Sequence, residues 1–457
     1  MIREDIISYL NENGTEFTDL SDRIWGYAET CFTEFQSAKD QINLFTAHGF
    51  RITTPVADMD TAFIAEYGEG KPVIAMLGEY DGLPNMSQKA DATEFCPIEE
   101  GGNGHGCGHN ILGAGMVAAA CATKEMIDKY SLKGTVRYYG CPAEEGGGGK
   151  VFMVRAGAFD DVDCALSWHP GLDNIMMVDM FGCITGSFHF HSPDPRGPQA
   201  SMDALDAAEI MNVGVQYLRE HVTPGTRIET AYVDAGGIAS NVPKTNVTVL
   251  WCVRAFENDY AKKIFDRVMD IARGAAMISN TTMTGPTITN AYAGLRLNKT
   301  LQELVYNVSC DYMPIEYTEE EYKYAKPFQA MGRNQDRELS IDQGMQPMRP
   351  WTNSACTDVG DVSMIAPTCG VHYVAGATGT RSHHFTTVAQ GKSSIAHKGL
   401  LFCGKVMSTV ACELYQNEEL MNQITAEFNE MTKGKKFHTY LPDYVTPESV
   451  RINMYGE

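Results

Sequence analysis

Residues 61–84 read TAFIAEYGEGKPVIAMLGEYDGLP, two short apolar runs separated by a Gly-containing turn. Short apolar runs bounded by turn residues are typical of buried strands. Beyond this stretch the chain alternates, with a helical pattern at 111–130, a strand at 135–141, a short helix at 151–157 and a strand at 164–168. Strands that alternate with helices predict an α/β fold with a largely parallel sheet flanked by helices.

Local signals indicate where several helices begin and end. Residues 1–48 have helical patterns, and Gly49 is a helix stop signal. Asn110 directly precedes the long apolar helix, and asparagine is a preferred N-cap residue, so we predict that Asn110 caps this helix. The segment 311–350 is polar and irregular, and no element is predicted there.

Residues 183–295 follow a different pattern. Strand and helix signals occur there in the order β, α, β, β, α, β, which is the ferredoxin-like arrangement. The α/β pattern resumes afterwards with the strand VHYVAGA at 371–377 and a long helix. We therefore predict a larger domain in two parts, 1–182 and 296–457, with a smaller domain at 183–295 inserted between them.

Charge and cysteine content limit the class of protein. The 457 residues include 36 Lys and Arg and 58 Asp and Glu, a net charge of −22. That balance opposes binding to nucleic acid or to anionic membranes. No apolar stretch reaches the length of about 18 residues that a membrane span requires. The 13 cysteines are an odd number without the spacing of a small disulfide scaffold, which predicts reduced thiols in a cytoplasmic protein.

Acidic residues and histidines follow four of the predicted strands. Cys107 and His109 lie in a Gly-rich loop, GGNGHGCGHN, just before a helix. Because ligand sites of open α/β sheets lie beyond the carboxyl ends of the strands, we expect these groups at one rim. Thiolate, imidazole and carboxylate groups together indicate a transition-metal site. The residues that follow strands are Glu79, Asp81, Glu144, Glu145, His169, His383 and His384.

Each of these motifs also has a structural interpretation. Adjacent glutamates are usually a solvated pair, and His169 alone could be bonded to backbone at a strand end. The Gly-rich loop could be taken for a dinucleotide-binding loop, but it follows no clean strand. The shared position of the motifs at strand ends favours the metal site.

Five motifs together resemble one known family. They are GCGHN (106–110), PAEEGGGG (142–149), SWHP (167–170), GGIASNV (236–242) and HHFTTVAQGKSSIAHKG (383–399). They resemble the amidohydrolase branch of the aminoacylase/carboxypeptidase metallopeptidases, peptidase family M20. EYDGLP, TDVGDVS and VAQGKSSIAHKG are most similar to the p-aminobenzoyl-glutamate hydrolase subgroup, rather than to hippurate or auxin-conjugate hydrolases. The resemblance implies a catalytic α/β domain with two metals and a lid domain, which residues 183–295 would form and which usually mediates dimerisation.

The resemblance also implies roles for individual residues. Cys107 would bridge the metals where other branches of the family have Asp, and adjacent cations would lower its thiol pKa. Glu144 would be the general base, and Asp81 would orient a ligating histidine. His383 rather than His384 matches the ligand by its distance from VAQGKSS, although the doublet leaves that choice open. The implied metal ligands are Cys107, His109, Glu145, His169 and His383.

The implied reaction is hydrolysis of the amide bond of an N-acyl or N-aroyl amino acid, with a metal-activated water and Glu144 as the base. Two divalent ions are expected, zinc or manganese first, then nickel or cobalt. The expected partners are a small amide substrate and a second copy of the chain, a homodimer. The alternatives are hydrolysis of another C–N bond, in an aromatic amine or a non-glutamate conjugate, and a non-catalytic binding protein that has kept the fold. A complete ligand set together with Glu144 argues against the binding protein.

The predicted lid departs from the family pattern. Family lids usually carry Ala-His-Ala at the first lid strand, and its histidine helps to hold the oxyanion. Residues 188–201 read FHFHSPDPRGPQAS and lack that motif. His189, His191 and Arg196 are candidate replacements, and Asn241 matches a family lid residue near the substrate. Each also has a structural alternative, as a core histidine, a solvated arginine or a turn asparagine.

Overall fold

The computed structural model describes residues 1–192, 203–333, 335–349 and 352–455. The strands in these ranges are β1 (Arg51–Thr53), β2 (Phe63–Glu69), β3 (Val73–Glu79), β4 (Gly134–Cys141), β5 (Cys164–Gly171), β6 (Ile175–Met176), β7 (Gly182–His191), β8 (Arg227–Asp234), β9 (Asn246–Ala255), β10 (Thr282–Tyr292) and β11 (Thr368–Val374). The helices are α1 (Ile2–Tyr27), α2 (Phe35–Ala47), α3 (His109–Tyr130), α4 (Gly149–Arg155), α5 (Ala204–Leu218), α6 (Asn258–Ser279), α7 (Lys299–Tyr312), α8 (Glu319–Ala330), α9 (Val359–Ser363), α10 (Phe385–Gln390), α11 (Ser394–Gln416), α12 (Glu418–Thr432) and α13 (Pro447–Tyr455), with a 3₁₀ turn at Arg219–His221.

The described chain divides into two compact units, of which the first contains Met1–Val178, Arg296–Trp351 and Val362–Phe437. Its sheet has the strand order β1-β2-β4-β3-β5-β11-β6. The four central strands run parallel, and β2 and β6 pair antiparallel beside them. β3 is buried along its whole length, as expected for a strand covered on both faces. The predicted α/β class with a mostly parallel sheet is therefore confirmed.

Small residues allow α3 to lie very close to the sheet. A Cβ atom on Gly113 would lie 2.5 Å from the carbonyl oxygen of Glu79, and one on Gly115 would lie 2.7 Å from Cζ2 of Trp168. Larger residues at these two positions would push the helix away from β3 and β5. The close packing holds the first turn of α3, which begins at His109, beside the carboxyl ends of both strands.

The predicted cap of α3 is wrong. The helix begins one residue before Asn110, and its N-cap is Gly108 in the left-handed region, with φ of 80°. The buried side chain of Asn110 instead donates hydrogen bonds to Ser21 Oγ (3.0 Å) and to the carbonyl oxygen of Gly391 (3.1 Å). Asn110 therefore ties α3 to α1 and to the end of α10, and the preceding glycine takes the cap position.

Helix α8 lies in the segment for which no element is predicted. Thr318 Oγ1 accepts a hydrogen bond from the backbone N–H of Glu321 (3.2 Å), and the Glu321 carboxylate accepts one from the backbone N–H of Thr318 (2.7 Å). This reciprocal pair is a capping box, whose T-x-x-E pattern is readable in the sequence. Polar composition and a proline within the helix, Pro327, conceal the element.

The second unit contains Asp179–Leu295, Thr352–Asp361 and His438–Glu457. Its antiparallel sheet has the order β10-β7-β9-β8, and its elements between β7 and β10 follow the order β, α, β, β, α, β. Phe188 and Phe190 of β7 are fully buried, and α5 and α6 both pack against this sheet. The predicted domain boundaries stay a prediction. Among the described residues, no helix is both long enough and apolar enough to cross a membrane.

Candidate metal centre

The carboxyl ends of the parallel strands carry most of the predicted site residues. Glu79 is the last residue of β3, and Asp81 follows it by two positions. Glu144 and Glu145 follow β4 after a turn in which Ala143 takes a left-handed conformation, with φ of 58°. The remaining predicted residues of the rim are Cys107 and His109 at the start of α3, His169 in β5, and His383 and His384 in the loop after β11.

Asp81 fixes the orientation of His109. His109 Nδ1 donates a hydrogen bond to Asp81 Oδ1 (2.7 Å), and both side chains are buried. The other carboxylate oxygen of Asp81 accepts the backbone N–H of Glu145 (2.8 Å). Burial lowers the pKa of His109, but the charges of Asp81 and Cys107 raise it, and the net pKa lies well above its ordinary value. His109 Nε2 is buried and has no hydrogen-bond partner among the described residues.

His169 and Cys107 face each other across the start of α3. His169 Nδ1 donates to the carbonyl oxygen of Pro170 (2.8 Å), and its Nε2 lies 3.3 Å from Cys107 Sγ. Burial and the nearby charge of His109 lower the pKa of His169, which favours the neutral, metal-binding imidazole. Burial and the charge of Glu145 raise the pKa of the Cys107 thiol well above its ordinary value. A cation bound to Cys107 would act in the opposite direction.

Glu145 and His383 form the other side of the centre. His383 Nε2 lies 3.2 Å from Glu145 Oε1. Burial alone would raise the pKa of Glu145, but the hydrogen bond with His383 and the charge of His109 lower it to about 2. The backbone N–H of His383 donates to the carbonyl oxygen of Gly106 (2.8 Å), which ties this loop to the loop of Cys107. His384 is the N-cap of α10, and its Nδ1 accepts the backbone N–H of Thr386.

Two groups of three ligand atoms share the sulfur of Cys107. One group is Cys107, His109 and His169, the other is Cys107, Glu145 and His383, and within each group the ligand atoms lie within 4.8 Å of one another. A shared thiolate between two triads suits a pair of divalent transition-metal ions. The buried, unpartnered Nε2 of His109 also fits this interpretation, since a metal ion would satisfy it.

The structure adds Lys150 to this rim. Lys150 is fully buried, and its Nζ lies 2.6 Å from Glu79 Oε1, while Glu79 Oε2 lies 3.4 Å from His109 Nε2. Burial raises the pKa of Glu79, but the charges of Lys150 and His109 lower it overall. Glu79, His109 and Glu144 form a further group of close ligand atoms. The sequence signal for Lys150 was its position directly after the four glycines of PAEEGGGG.

Glu34 was also missed, because it lies more than 100 residues from the motif that it contacts. Its fully buried Oε1 accepts the backbone N–H groups of Phe32 and Ala143, both at 3.0 Å. Both of these residues have left-handed backbone conformations. Burial and the charge of Asp81 raise the pKa of Glu34 to about 8. Glu34 therefore braces the turn that presents Glu144 and Glu145.

The predicted substrate residues of the second unit have other partners in the structure. His189 Nδ1 and Nε2 lie 3.0 Å from Thr248 Oγ1 and Thr287 Oγ1, respectively. His191 Nδ1 lies 2.7 Å from Asn246 Oδ1, and its Nε2 lies 3.1 Å from Thr284 Oγ1. Asn241 is exposed in a turn between β8 and β9, and Arg196 lies outside the described residues. Substrate contact by these four residues stays a prediction.

The fold and the paired ligand groups are those of a metal-dependent hydrolase, and comparison with known proteins gives the family. The profile of peptidase family M20/M25/M40 matches residues 75–388. One of the two subunits of p-aminobenzoyl-glutamate hydrolase from Escherichia coli K12 is 36% identical over 95% of this chain and 96% of its own length. The chain therefore belongs to peptidase family M20/M25/M40, as the motifs predict, and is a hydrolase of amide bonds.

Solved structures support the same fold. A dinuclear metal-binding peptidase of the M20 family from Bacillus subtilis matches with a TM-score of 0.58 and 17% identity, over 88% of this chain and 99% of that chain. An aminobenzoyl-glutamate utilization protein from Klebsiella pneumoniae matches with a TM-score of 0.57 and 14% identity, over 86% and 98%. The candidate ligand groups therefore lie in the fold of a dinuclear metallopeptidase.

Proposed function

We propose that this chain hydrolyses the amide bond of an N-acyl or N-aroyl amino acid, with p-aminobenzoyl-glutamate as the reference substrate. The observation that carries the proposal is the pair of ligand groups that share Cys107, with the carboxylate of Glu144 beside them. The identity of 36% over nearly the whole length of a p-aminobenzoyl-glutamate hydrolase chain supports the same substrate class.

The ligands proposed for the two ions are Cys107, His109, Glu145, His169 and His383, with Cys107 shared. The donor set of imidazole, thiolate and carboxylate favours zinc or manganese, then nickel or cobalt. When bound, a pair of such ions supplies Lewis-acid activation of a water molecule and of the amide carbonyl.

The residues of the chain divide the remaining work. Glu144 acts as the general base, takes a proton from the attacking water and returns it to the nitrogen of the departing amine. Asp81 positions His109 through the 2.7 Å hydrogen bond, and Glu34 positions the turn before Glu144 through Ala143. Lys150 keeps Glu79 ionised beside His109, since a buried carboxylate without a partner would favour its neutral form.

We further propose that residues 183–295 form a ferredoxin-like lid that also mediates a homodimer. The sheet order β10-β7-β9-β8 supports the ferredoxin-like assignment. β8 is an edge strand with exposed side chains, among them Val233 (62% exposed) and Tyr232 (37%), and an unpaired edge is a natural surface for a second copy. A monomer by light scattering at working concentration would contradict the dimer. All 13 cysteines are free thiols, which supports a cytoplasmic location.

The test of the activity is release of p-aminobenzoate from p-aminobenzoyl-glutamate by the purified, metal-loaded protein, with hippurate and N-acetyl-glutamate as comparison substrates. Chelation of the metal should abolish hydrolysis, and added zinc or manganese should restore it. Full activity of a preparation shown to be metal-free by elemental analysis would end the proposal. Absence of hydrolysis with every conjugate, despite two bound ions per chain, would favour the alternative of a different C–N bond.

A further inference from the structure

A cavity with a volume of about 410 Å³ lies within the first unit, directly beside the candidate metal centre. This volume falls in the range of small-molecule sites in proteins. Cys107 and His169, two of the proposed ligands, line it. The other lining residues are Gly108, Ile111, Pro170, Gly171, Leu172, Ala375, Gly376, Ser382, Thr387 and Gln390.

The surface of this cavity is apolar and carries no fixed charge. Among the described residues that line it there is no Lys, Arg, Asp or Glu. Two of its polar side chains are already engaged: Gln390 accepts the backbone N–H of Ala377 (2.8 Å) and donates to the carbonyl oxygen of Thr386 (2.9 Å), and Thr387 donates to the carbonyl oxygen of Arg381 (2.6 Å). A charged group placed here would lose its hydration without gaining a partner, whereas a hydrocarbon ring would gain from burial.

We propose that this cavity binds the acyl half of the substrate, as an uncharged aromatic or similarly apolar group. This inference rests on the proposed function. In an N-aroyl amino acid only the acyl half is uncharged, because the amino-acid half carries the α-carboxylate. With the ring in the cavity, the carbonyl carbon attached to it lies toward Cys107 and His169. The cavity therefore selects aroyl over small aliphatic acyl groups, and the amino acid is recognised elsewhere.

Leu172 is the residue best placed to test this selection. It lines the cavity and is half-buried, so a larger side chain there can enter the cavity without rebuilding the core. Leu304 of α7 is a matched control, because it is also half-buried, packs against the main core and does not line the cavity. Leu172→Trp should fill the cavity, and Leu304→Trp should leave it open.

The experiment combines calorimetry with kinetics on the metal-loaded protein. We expect p-aminobenzoate to bind wild type and Leu304→Trp alike, and Leu172→Trp about 10-fold more weakly or worse. The ratio of kcat/KM for p-aminobenzoyl-glutamate to kcat/KM for N-acetyl-glutamate should fall by at least the same factor in Leu172→Trp. Metal content and melting temperature should match the control variant.

Three outcomes would overturn the assignment. They are no measurable binding of p-aminobenzoate to wild type, unchanged binding in Leu172→Trp, or an equal loss of kcat/KM for both substrates. A failure of the proposed function is distinguishable. In that case no conjugate is hydrolysed, yet the calorimetric difference between Leu172→Trp and Leu304→Trp still decides whether the cavity binds an aryl group.

Discussion

Histidines lie at the metal-binding rim of the first unit and on β7 of the second unit, and their environments differ in one respect. At the rim, His109 and His169 each have one nitrogen bonded within the protein, while the other faces the shared ligand group. On β7, both nitrogens of His189 and of His191 have protein partners on neighbouring strands. A ring with one nitrogen left over is prepared for a metal, whereas a ring with two partners already contributes to its sheet.

The largest expected difference between the two regions concerns the glutamates of the rim. Glu144→Gln keeps the shape of the side chain and removes the base, so kcat should fall by about 10²–10⁴ while metal content stays near wild type. Glu145→Gln should lose bound metal as well as activity, because Glu145 belongs to the group with Cys107 and His383. Elemental analysis and steady-state kinetics check both variants. If the two variants lose metal equally, the roles within the pair are assigned wrongly.

The next effect tests how far the rim depends on its support. Glu34→Leu leaves the buried N–H groups of Phe32 and Ala143 without an acceptor, at about 1–3 kcal/mol each. The turn that carries Glu144 should shift, and kcat should fall by about 10-fold or more with little change in KM. Glu34→Gln keeps the acceptor oxygen and should restore kcat to near wild type. Equal kcat values for the folded Leu and Gln variants would reduce Glu34 to a stability role.

These two predictions draw on features of unequal visibility in the sequence. The acidic and histidine motifs were readable because each follows its own strand within a few residues, and strand ends meet by the geometry of the sheet. Glu34 was not readable, since its contact with Ala143 arises only when the loop before α2 folds against β4. Asn110 was misread because a local preference for capping was overridden by its buried contacts with α1 and α10.

A smaller effect is expected from the second unit. We predict that His189→Ala, His191→Ala and Arg196→Ala are not equivalent, and that one of them lowers kcat/KM by at least about 10-fold with metal and dimer intact, because a lost oxyanion donor affects the rate directly. The two histidine variants should also lower the melting temperature, since each ring bridges β9 and β10. Wild-type kinetics in all three would mean that this segment provides no donor.

The smallest effect concerns two buried carboxyl groups, one in each unit. Burial raises the pKa of Glu34 and of Asp361 to about 8, and both accept backbone N–H groups. The folded protein therefore retains protons that the unfolded chain releases, so these groups make the free energy of unfolding decrease as the pH rises from about 4.5 to 8. Each group contributes a slope of up to about 1.4 kcal/mol per pH unit. Glu34→Gln and Asp361→Asn should each flatten this decrease in denaturant titrations between pH 5 and pH 8. Only substitutions at Glu34 should also change kcat, because Asp361 lies in the second unit. An unchanged slope in Glu34→Gln would show that this carboxyl is ionised in the folded protein.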